Sequence, residues 1–366
     1  MTTAQITFTA DELLVSHEIE EPLFAGGVRC HGGFDADGIY VSPRTKHRLP
    51  AIGAWQRQHR EQFGTDLLDI GLEARPGNWP NLEQARFLLR HGVREPIITE
   101  LTRIGTVEGF GALIRYTPMP DWPQCIEEDL TGTATAHLAE GLYEAHARDE
   151  AGHDAEGGHQ QMWYAARDVA FEHPVTEDQT GVMLERIGLA RPGKGSKGID
   201  VEMMQRQFQE RRLYPDLPWE LESLLDRMIR LLLIEISAFH IFAWAEELLA
   251  DPELVAGDGE AARLVSYIRS DETPHVEYLK TTLSELRDRT FVGDGGQRHP
   301  GTEVVGRMWD RGVTESITVR RREGLITALG EVEHAMGSRN DKDDLLAELH
   351  SLGDIQPGPD GEWPPA

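Results

Sequence analysis

The sequence predicts an all-α protein whose centre is a bundle of four long helices. The first observation is helical periodicity of apolar residues over four segments, 96–115, 136–171, 219–250 and 259–287. The second is a five-residue pattern that occurs once in the second segment and once in the fourth. The third is a single acidic residue, Glu235, within an otherwise apolar stretch of the third segment. Together they predict a helical bundle with a polar site in its interior.

The repeated pattern occurs at residues 149–153 (DEAGH) and 271–275 (DETPH), and in both copies a Glu precedes a His by three residues. Side chains at this spacing leave the same face of a helix about one turn apart, so one Glu and one His can hold a metal ion between them. Chance would supply roughly 0.1 copy of the pattern in a chain of this composition, so the pair indicates one shared site.

Composition narrows the classes of partner. A net charge of -27 and a pI near 4.9 disfavour nucleic acid and anionic membranes, which bind clusters of Lys and Arg. Two cysteines, Cys30 and Cys125, are too few for a disulfide framework or a thiolate metal site and fit a reducing compartment. No export signal is visible, and the longest apolar run, Leu231–Ala245, contains Glu235 and His240, which argues against a membrane span. We expect a soluble cytoplasmic protein.

We divide the chain into three parts. Residues 1–95 predict an N-terminal wrap, with one or two short hairpins before two helices at Leu49–Phe63 and Leu82–Arg90. Residues 96–290 predict the helical core, interrupted by an insertion at 173–217. Residues 291–366 predict one helix outside the core, near Glu303–Met336, and a disordered tail from Gly353.

Details of the core helices bear on the site. The second is expected to run unbroken from about Ala136 to Phe171, although Gly152, Gly157 and Gly158 each cost about 1 kcal/mol relative to Ala, which indicates close approach of another backbone or a ligand. Pro274 should kink or bulge the fourth helix at the motif. In the insertion we predict helices near Gly181–Leu189 and Val201–Arg212.

Two further carboxylates must lie at the depth of the motifs. Glu235 lies fifteen residues before the end of the third helix, and Glu272 about as far into the fourth, so the two match in depth. A buried carboxylate costs several kcal/mol without a compensating partner, which favours Glu235 as a metal ligand. The same count can be made between the first and second helices. If the second helix starts at Ala136, the count favours Glu100 on the first helix, and Glu108 is the alternative.

The sequence therefore predicts two metal positions. One is formed by Glu100, Glu150 and His153, and the other by Glu235, Glu272 and His275, with Glu150 and Glu272 free to bridge. Four carboxylates and two imidazoles suit two iron ions, or manganese, better than zinc.

Several neighbouring residues also bear on the site. Asp149 and Asp271 are expected to accept a hydrogen bond from the outer N–H of the opposite metal-bound histidine. His146, four residues before Glu150, is either a third histidine ligand or a histidine that caps or solvates the helix. The Glu156–His159 repeat of the spacing is assigned to packing or a channel wall.

With both motifs and Glu235 in place, residues 95–290 resemble the ferritin-like di-iron carboxylate oxidases and oxygenases. These include the soluble acyl-carrier-protein desaturases, bacterial multicomponent monooxygenase hydroxylases, the ribonucleotide reductase radical subunit and the arylamine N-oxygenases. Residues 98–100 (ITE) and 235–239 (EISAF) resemble the ligand stretches of the desaturases. The chain departs from the desaturases, which usually carry Arg before the ligand histidine, and the insertion at 173–217 has no counterpart. The third histidine of the arylamine N-oxygenases, which His146 would match, lies on their last core helix.

The resemblance implies an O2-dependent di-iron oxidoreductase that acts on a small organic or carrier-bound substrate. It also implies an electron donor such as a ferredoxin or reductase, and a monomer or homodimer. One alternative is an acyl-carrier-protein desaturase, for which Arg206, Arg211 and Arg212 would form the basic docking patch. The other is a non-catalytic ferritin-like protein that binds or stores iron.

Overall fold

Helices make up most of the chain in the computed structural model, which describes residues 6–70, 78–172, 175–187 and 211–353. The predicted all-helical character is confirmed, with few and short strands among the described residues. The helices are α1 (Ala10–Leu13), α2 (Arg48–Phe63), α3 (Leu82–Arg90), α4 (Glu95–Gly111), α5 (Trp122–Cys125), α6 (Tyr143–Ala151), α7 (His159–Ala170), α8 (Glu177–Arg186), α9 (Trp219–Leu249), α10 (Glu260–Arg287), α11 (Gly301–Ile317), α12 (Val319–Met336) and α13 (Lys342–Ser351). The strands are β1 (Glu21–Ala25), β2 (Val28–Phe34), β3 (Tyr40–Val41), β4 (Thr290–Val292) and β5 (Arg298–Pro300).

The N-terminal region forms the predicted hairpins. Strands β1, β2 and β3 make an antiparallel sheet in which Glu21 pairs with Phe34 and Phe34 also pairs with Tyr40. Helices α2 and α3 begin and end within one residue of the predicted bounds. The end of the sheet at Tyr40 leads directly to α2, and this short stretch carries the side chains that reach the interior site.

The central helices pack side by side. Helix α9 lies along α10, α4 lies against α6 and α7, and α7 lies against α10. The bounds of α9 and α10 agree with the prediction to within a residue, because long apolar stripes fix them. Pro274 lies inside α10, which continues past it to Arg287 as one helix.

The second core helix differs from the prediction, because it is not continuous. A π-helical segment at Leu138–Leu142 precedes α6, and α6 ends at Ala151, eight residues before α7 begins at His159. Gly152 causes the break, since its φ of 80° lies in the left-handed region that favours glycine.

The C-terminal helix is also two helices instead of one. Helices α11 and α12 meet at Thr318 and pack outside the core, α11 against α9 and α10, and α12 against α4. Helix α13 lies against α3 and was not predicted. Most of the predicted helix Val201–Arg212 and the tail after Gly353 lie outside the described residues.

Helix α9 is long and apolar enough to cross a membrane by length and composition alone. Its most apolar 18-residue window is 56% buried inside the protein, and Glu235 lies at 4% exposure within the helix. These are features of the core helix of a soluble protein.

Two apolar cores are separated by a polar layer. On α9, Ile236 belongs to the first core and Ala238 to the second. On α10, Val276 belongs to the first and Ile268 to the second, and the motif residues 271–275 lie between them. The polar residues of the motifs are thus enclosed by apolar side chains on both sides, where water is excluded.

Candidate metal centre

Seven glutamate and histidine side chains from five helices meet in the polar layer. Their exposure ranges from 0% to 7%, so all are buried. They are Glu108 of α4, His146 and Glu150 of α6, His159 of α7, Glu235 of α9, and Glu272 and His275 of α10.

These side chains form two groups that share Glu150. In each group four residues offer ligand atoms that all lie within 4.8 Å of one another. Site A consists of Glu108, Glu150, His159 and Glu272. Site B consists of His146, Glu150, Glu235 and His275. Each group could hold a metal ion, and two adjoining groups with a common carboxylate are compatible with a two-metal centre.

Glu272 connects the two sites through its two oxygens. Oε1 lies 2.9 Å from Nδ1 of His159 in site A, and Oε2 lies 2.8 Å from Nδ1 of His275 in site B. Glu150 Oε1 lies 3.4 Å from the same atom of His159 and 3.1 Å from that of His275. Both glutamates are therefore placed to bridge two cations.

The ring of His275 is held from behind by Asp149. Nε2 of His275 lies 2.9 Å from Asp149 Oδ2, so Nδ1 is left to face the carboxylates. Asp149 Oδ1 accepts hydrogen bonds from Nε and Nη2 of Arg44, and Oδ2 accepts one from Arg48 Nη2 at 2.7 Å. Burial opposes ionisation of Asp149, but Arg44 and Arg48 outweigh it and hold the pKa of this carboxyl well below its usual range.

His159 has a corresponding partner in Asp271. Nε2 of His159 lies 3.5 Å from Asp271 Oδ2, and the same oxygen accepts a hydrogen bond of 2.8 Å from the Tyr40 hydroxyl. Tyr40 stacks on Tyr267 with ring centroids 4.3 Å apart. Because no arginine pairs with Asp271 among the described residues, burial dominates and raises the pKa of its carboxyl.

His146 adds a third imidazole. Nε2 lies 3.5 Å from Glu235 Oε1 and 3.8 Å from Glu150 Oε1, while Nδ1 lies 3.4 Å from the Tyr278 hydroxyl. Burial, reinforced by His275, lowers the pKa of His146 to about 3, so the ring is neutral at pH 7 and can offer a lone pair.

The carboxyl groups crowd one another. Burial, together with the charge of Glu150, raises the pKa of Glu108 well above its ordinary value, and burial together with Glu272 does the same for Glu235. Such a concentration of buried acids is unfavourable unless cations compensate it. Two divalent cations would balance the charge of four glutamates.

The polar atoms of the cluster that lack hydrogen bonds fit metal ligation. Several cluster atoms have no hydrogen-bond partner within the described part of the chain, although they lie close to one another: Glu108 Oε2, His146 Nε2, Glu150 Oε1, His159 Nδ1 and Glu272 Oε1. Buried polar atoms without partners are costly, and these ones converge on a single volume. The residues present therefore suit a pair of bound metal ions.

The structure brings together four of the six predicted ligands, namely Glu150, Glu235, Glu272 and His275. It does not bring Glu100 to them. That side chain lies on another face of α4, where its carboxylate accepts a 2.7 Å hydrogen bond from Arg103 Nε and is 28% exposed. Glu108, the alternative, lies in site A instead.

The prediction of Glu100 depended on a second core helix that starts at Ala136. Helix α6 begins at Tyr143, so Glu150 lies seven residues into it and not fourteen. Glu108 lies seven residues before Arg115, where the short 3-10 turn that follows α4 is still helical. With the observed helix start, the same depth count selects Glu108.

His153 is the second predicted residue outside the cluster. It follows the end of α6 in a turn closed by backbone hydrogen bonds with Glu156, and its side chain is 36% exposed. His159, at the first turn of α7, occupies the position instead. Gly158 allows the chain to place His159 in the cluster. A Cβ at residue 158 would lie 2.4 Å from the Asp149 carbonyl oxygen, so only glycine fits this close approach. The predicted close backbone approach at the glycines is thus observed at Gly158.

Comparisons of the chain with protein-family models, with curated proteins and with solved structures found no match.

Proposed function

We propose that this protein is an oxygen-activating di-iron oxidoreductase. In this proposal its core is a ferritin-like bundle of four helical arms, formed by α4, α6 with α7, α9 and α10. The two iron ions are held by the seven residues of sites A and B: Glu108, His146, Glu150, His159, Glu235, Glu272 and His275.

One observation carries the proposal: two buried four-residue groups share Glu150 and are connected through Glu272. Four carboxylates and three imidazoles favour iron or manganese, because zinc prefers four ligands and often sulfur. When bound, a pair of ferrous ions supplies the electrons that reduce dioxygen, and an external donor must replace them.

The chain's own residues prepare the ligands. Asp149 fixes the His275 tautomer that leaves Nδ1 free, and Asp271 faces the outer nitrogen of His159. The apolar cores on either side exclude water from the polar layer and strengthen every charge interaction in it.

The third histidine favours a comparison with the arylamine N-oxygenases, which also carry an extra imidazole. His146 lies on α6, whereas their extra histidine lies on the last core helix. We therefore propose an oxygenase or oxidase of small organic substrates, with a ferredoxin or reductase as electron donor, and leave the reaction subtype open.

The desaturase alternative gains little support from the predicted basic patch. Arg211 lies 3.1 Å from Glu315, and Arg212 lies 2.8 Å from the buried Glu222, so both charges are compensated. Arg206 lies outside the described residues. A carrier-protein surface would need basic side chains that are free to bind an acidic partner.

The experiment is iron loading under anaerobic conditions, followed by exposure to oxygen with optical detection. We expect about two iron ions per chain. Two matched pairs of variants test the ligand set: Glu108→Ala against Glu100→Ala, and His159→Ala against His153→Ala. The first member of each pair should lose iron and the oxygen-dependent absorption change, and the second should retain both.

Four outcomes contradict the proposal. A wild-type protein that binds no iron rules out the metal centre, and equal losses within a matched pair rule out the ligand set. Iron that binds without any reaction with oxygen supports the non-catalytic alternative. A mass far above a dimer would support a storage cage.

A further inference from the structure

A second polar site lies at the far end of α10, where a cavity of about 420 Å³ opens between the end of α10 and the start of α11. It is lined by residues that include Phe63, Arg287, Arg289, Arg298 and Thr302. His275 and Arg287 are twelve residues apart on α10, about 18 Å along the helix axis. The cavity is therefore separate from sites A and B.

Arg289 is the side chain that points to a ligand. It is only 4% exposed, yet its Nε and Nη1 atoms have no hydrogen-bond partner among the described residues. A buried guanidinium is normally paired, because each unpaired N–H group carries the full cost of leaving water.

The nearby carboxylates are engaged elsewhere. Glu285 accepts hydrogen bonds from the backbone N–H groups of Ala134 and Thr135, and Glu128 accepts them from Thr290. Asp288 binds Arg287 and His59. These acids, and Asp129, which accepts hydrogen bonds from Thr131, attract Arg289 through space, but none lies within ion-pair distance of it in the described part of the chain.

The guanidinium is held in place without being satisfied. Its carbon lies 4.8 Å from the centroid of the Phe63 ring, and the Arg289 carbonyl accepts a 2.7 Å hydrogen bond from Gly301 N. Stacking on Phe63 contributes a modest cation–π attraction but leaves the in-plane N–H groups free. The side chain is therefore preorganised toward a ligand that accepts hydrogen bonds.

Two further arginines and one acid, Asp288, line the cavity. Arg287 and Arg298 also face the cavity, although each pairs with an acid, Asp288 and Glu127 respectively. The cavity also includes the first residues of α11, a 17-residue helix whose N-terminal N–H groups carry partial positive charge. Arg289 and the positive end of α11 are the features of this lining that suit an anion.

We propose that the cavity binds a phosphate group carried by a small molecule. The planar guanidinium of Arg289 matches phosphate oxygens, and the positive end of the α11 dipole favours their negative charge. The volume exceeds that of a phosphate ion and falls in the range of small-molecule sites, so the cavity has room for the group that bears the phosphate.

The test is isothermal titration calorimetry of the metal-loaded full chain with inorganic phosphate and with glycerol 3-phosphate, at constant ionic strength. We expect saturable binding of one ligand per chain, tighter for the ester, and a loss of roughly tenfold or more in Arg289→Gln. Arg289→Lys should retain part of the affinity. Arg57→Gln, which removes the same charge from the exposed face of α2, should bind as the wild type does.

Phosphate also binds iron, but that contribution is common to the wild type and Arg289→Gln, whose metal ligands are unchanged. Circular dichroism of each variant shows that the fold is retained. Equal affinity of wild type and Arg289→Gln, or no binding of either ligand by the wild type, overturns the proposal. Binding of phosphate but not of the ester overturns the assignment to a phosphorylated small molecule.

Discussion

Nε2 of His275 lies 2.9 Å from Oδ2 of Asp149, so the aspartate of one motif orients the histidine of the other. The two residues are 126 positions apart in the chain and belong to different helices. Because the contact is buried, α6 and α10 must both be in place before the His275 ring is fixed. Arg44 and Arg48 then neutralise Asp149 from the N-terminal region.

Asp149→Asn should weaken both the metal centre and the fold. The amide cannot balance Arg44 and Arg48, and breaking a buried ion pair costs about 3 to 5 kcal/mol. Loss of the partner that orients a ligand histidine typically reduces metal affinity by about 10- to 100-fold. Denaturant unfolding and an iron titration measure the two effects.

Asp154→Asn is the matched control, because that carboxylate is 86% exposed in the turn after α6. It should change neither stability nor affinity. Unchanged iron affinity in Asp149→Asn would show that the His275 contact does not orient a ligand.

Gly158→Ala should selectively impair site A. A Cβ at this position would lie 2.4 Å from the carbonyl oxygen of Asp149, so the turn before α7 must shift and carry His159 with it. We expect a loss of roughly 1 to 3 kcal/mol in unfolding free energy and about one iron ion fewer per chain. Metal analysis and thermal unfolding measure these changes.

Gly306→Ala is the control for this substitution. Gly306 lies inside α11, and no atom of a neighbouring residue lies within 4 Å of the position that a Cβ would take there. Alanine should therefore stabilise the helix by about 0.5 to 1 kcal/mol and leave the iron content unchanged. If both variants retain two irons, the tight turn is not what places His159.

The long core helices and four of the cluster residues could be predicted from the sequence. Unbroken apolar stripes fixed α9 and α10, and a buried acid in an apolar helix identified Glu235. The Asp149–His275 contact was also predicted, since the two motifs had to face each other. Local patterns were sufficient for the helices and for Glu235, and the repeat of one motif on two helices was sufficient for the contact.

The remaining ligands depended on where the second core helix begins and where it stops. A helix start at Ala136 instead of Tyr143 moved the depth count from Glu108 to Glu100. An unbroken helix through Gly152 favoured His153 as the ligand in place of His159. Spacing alone could not decide this, because the break depends on how the backbone at Gly158 packs against α6.

The N-terminal partners of the site could not be predicted at all. Tyr40, Arg44 and Arg48 contact aspartates that lie more than 100 residues further along the chain. No periodicity connects residues at such separations. They reach the interior because the sheet and α2 place this short stretch over the end of the polar layer.

Tyr40→Phe should affect site A through Asp271. The substitution removes the 2.8 Å hydrogen bond to Oδ2 and leaves a buried carboxyl oxygen with one donor fewer, at a cost of about 1 to 3 kcal/mol. Iron affinity at site A should fall several-fold, since His159 loses part of its support. Tyr267→Phe keeps the stacked ring and should bind iron as the wild type does.

Iron binding to Tyr40→Phe is measured by titration between one and two ions per chain. Over this range the weaker site fills after the stronger one, so its affinity is measured separately. A fall in affinity that is equal in Tyr267→Phe would assign the effect to aromatic packing instead of the hydroxyl.

Metal affinity should rise with pH because binding displaces protons. Burial and neighbouring acids raise the pKa values of Glu108 and Glu235, so in the metal-free protein these groups keep their protons to higher pH than ordinary carboxyls. Burial opposes protonation of His275, but Glu272 and Asp149 outweigh it and raise its pKa. Each such proton must leave before the atom can bind a cation. Metal affinity therefore falls by about tenfold for each unit by which the pH is lowered, for each proton displaced.

His146 contributes no proton to this balance, since its pKa of about 3 leaves the ring neutral at pH 7. Calorimetric titration of Fe(II) in two buffers of different ionisation enthalpy counts the protons released. His153→Ala, altered outside the cluster, should release the same number as the wild type, whereas Glu235→Gln should release fewer. Affinity that is independent of pH would mean that the cluster residues are already deprotonated, and the crowding of acids inferred from their burial would be wrong.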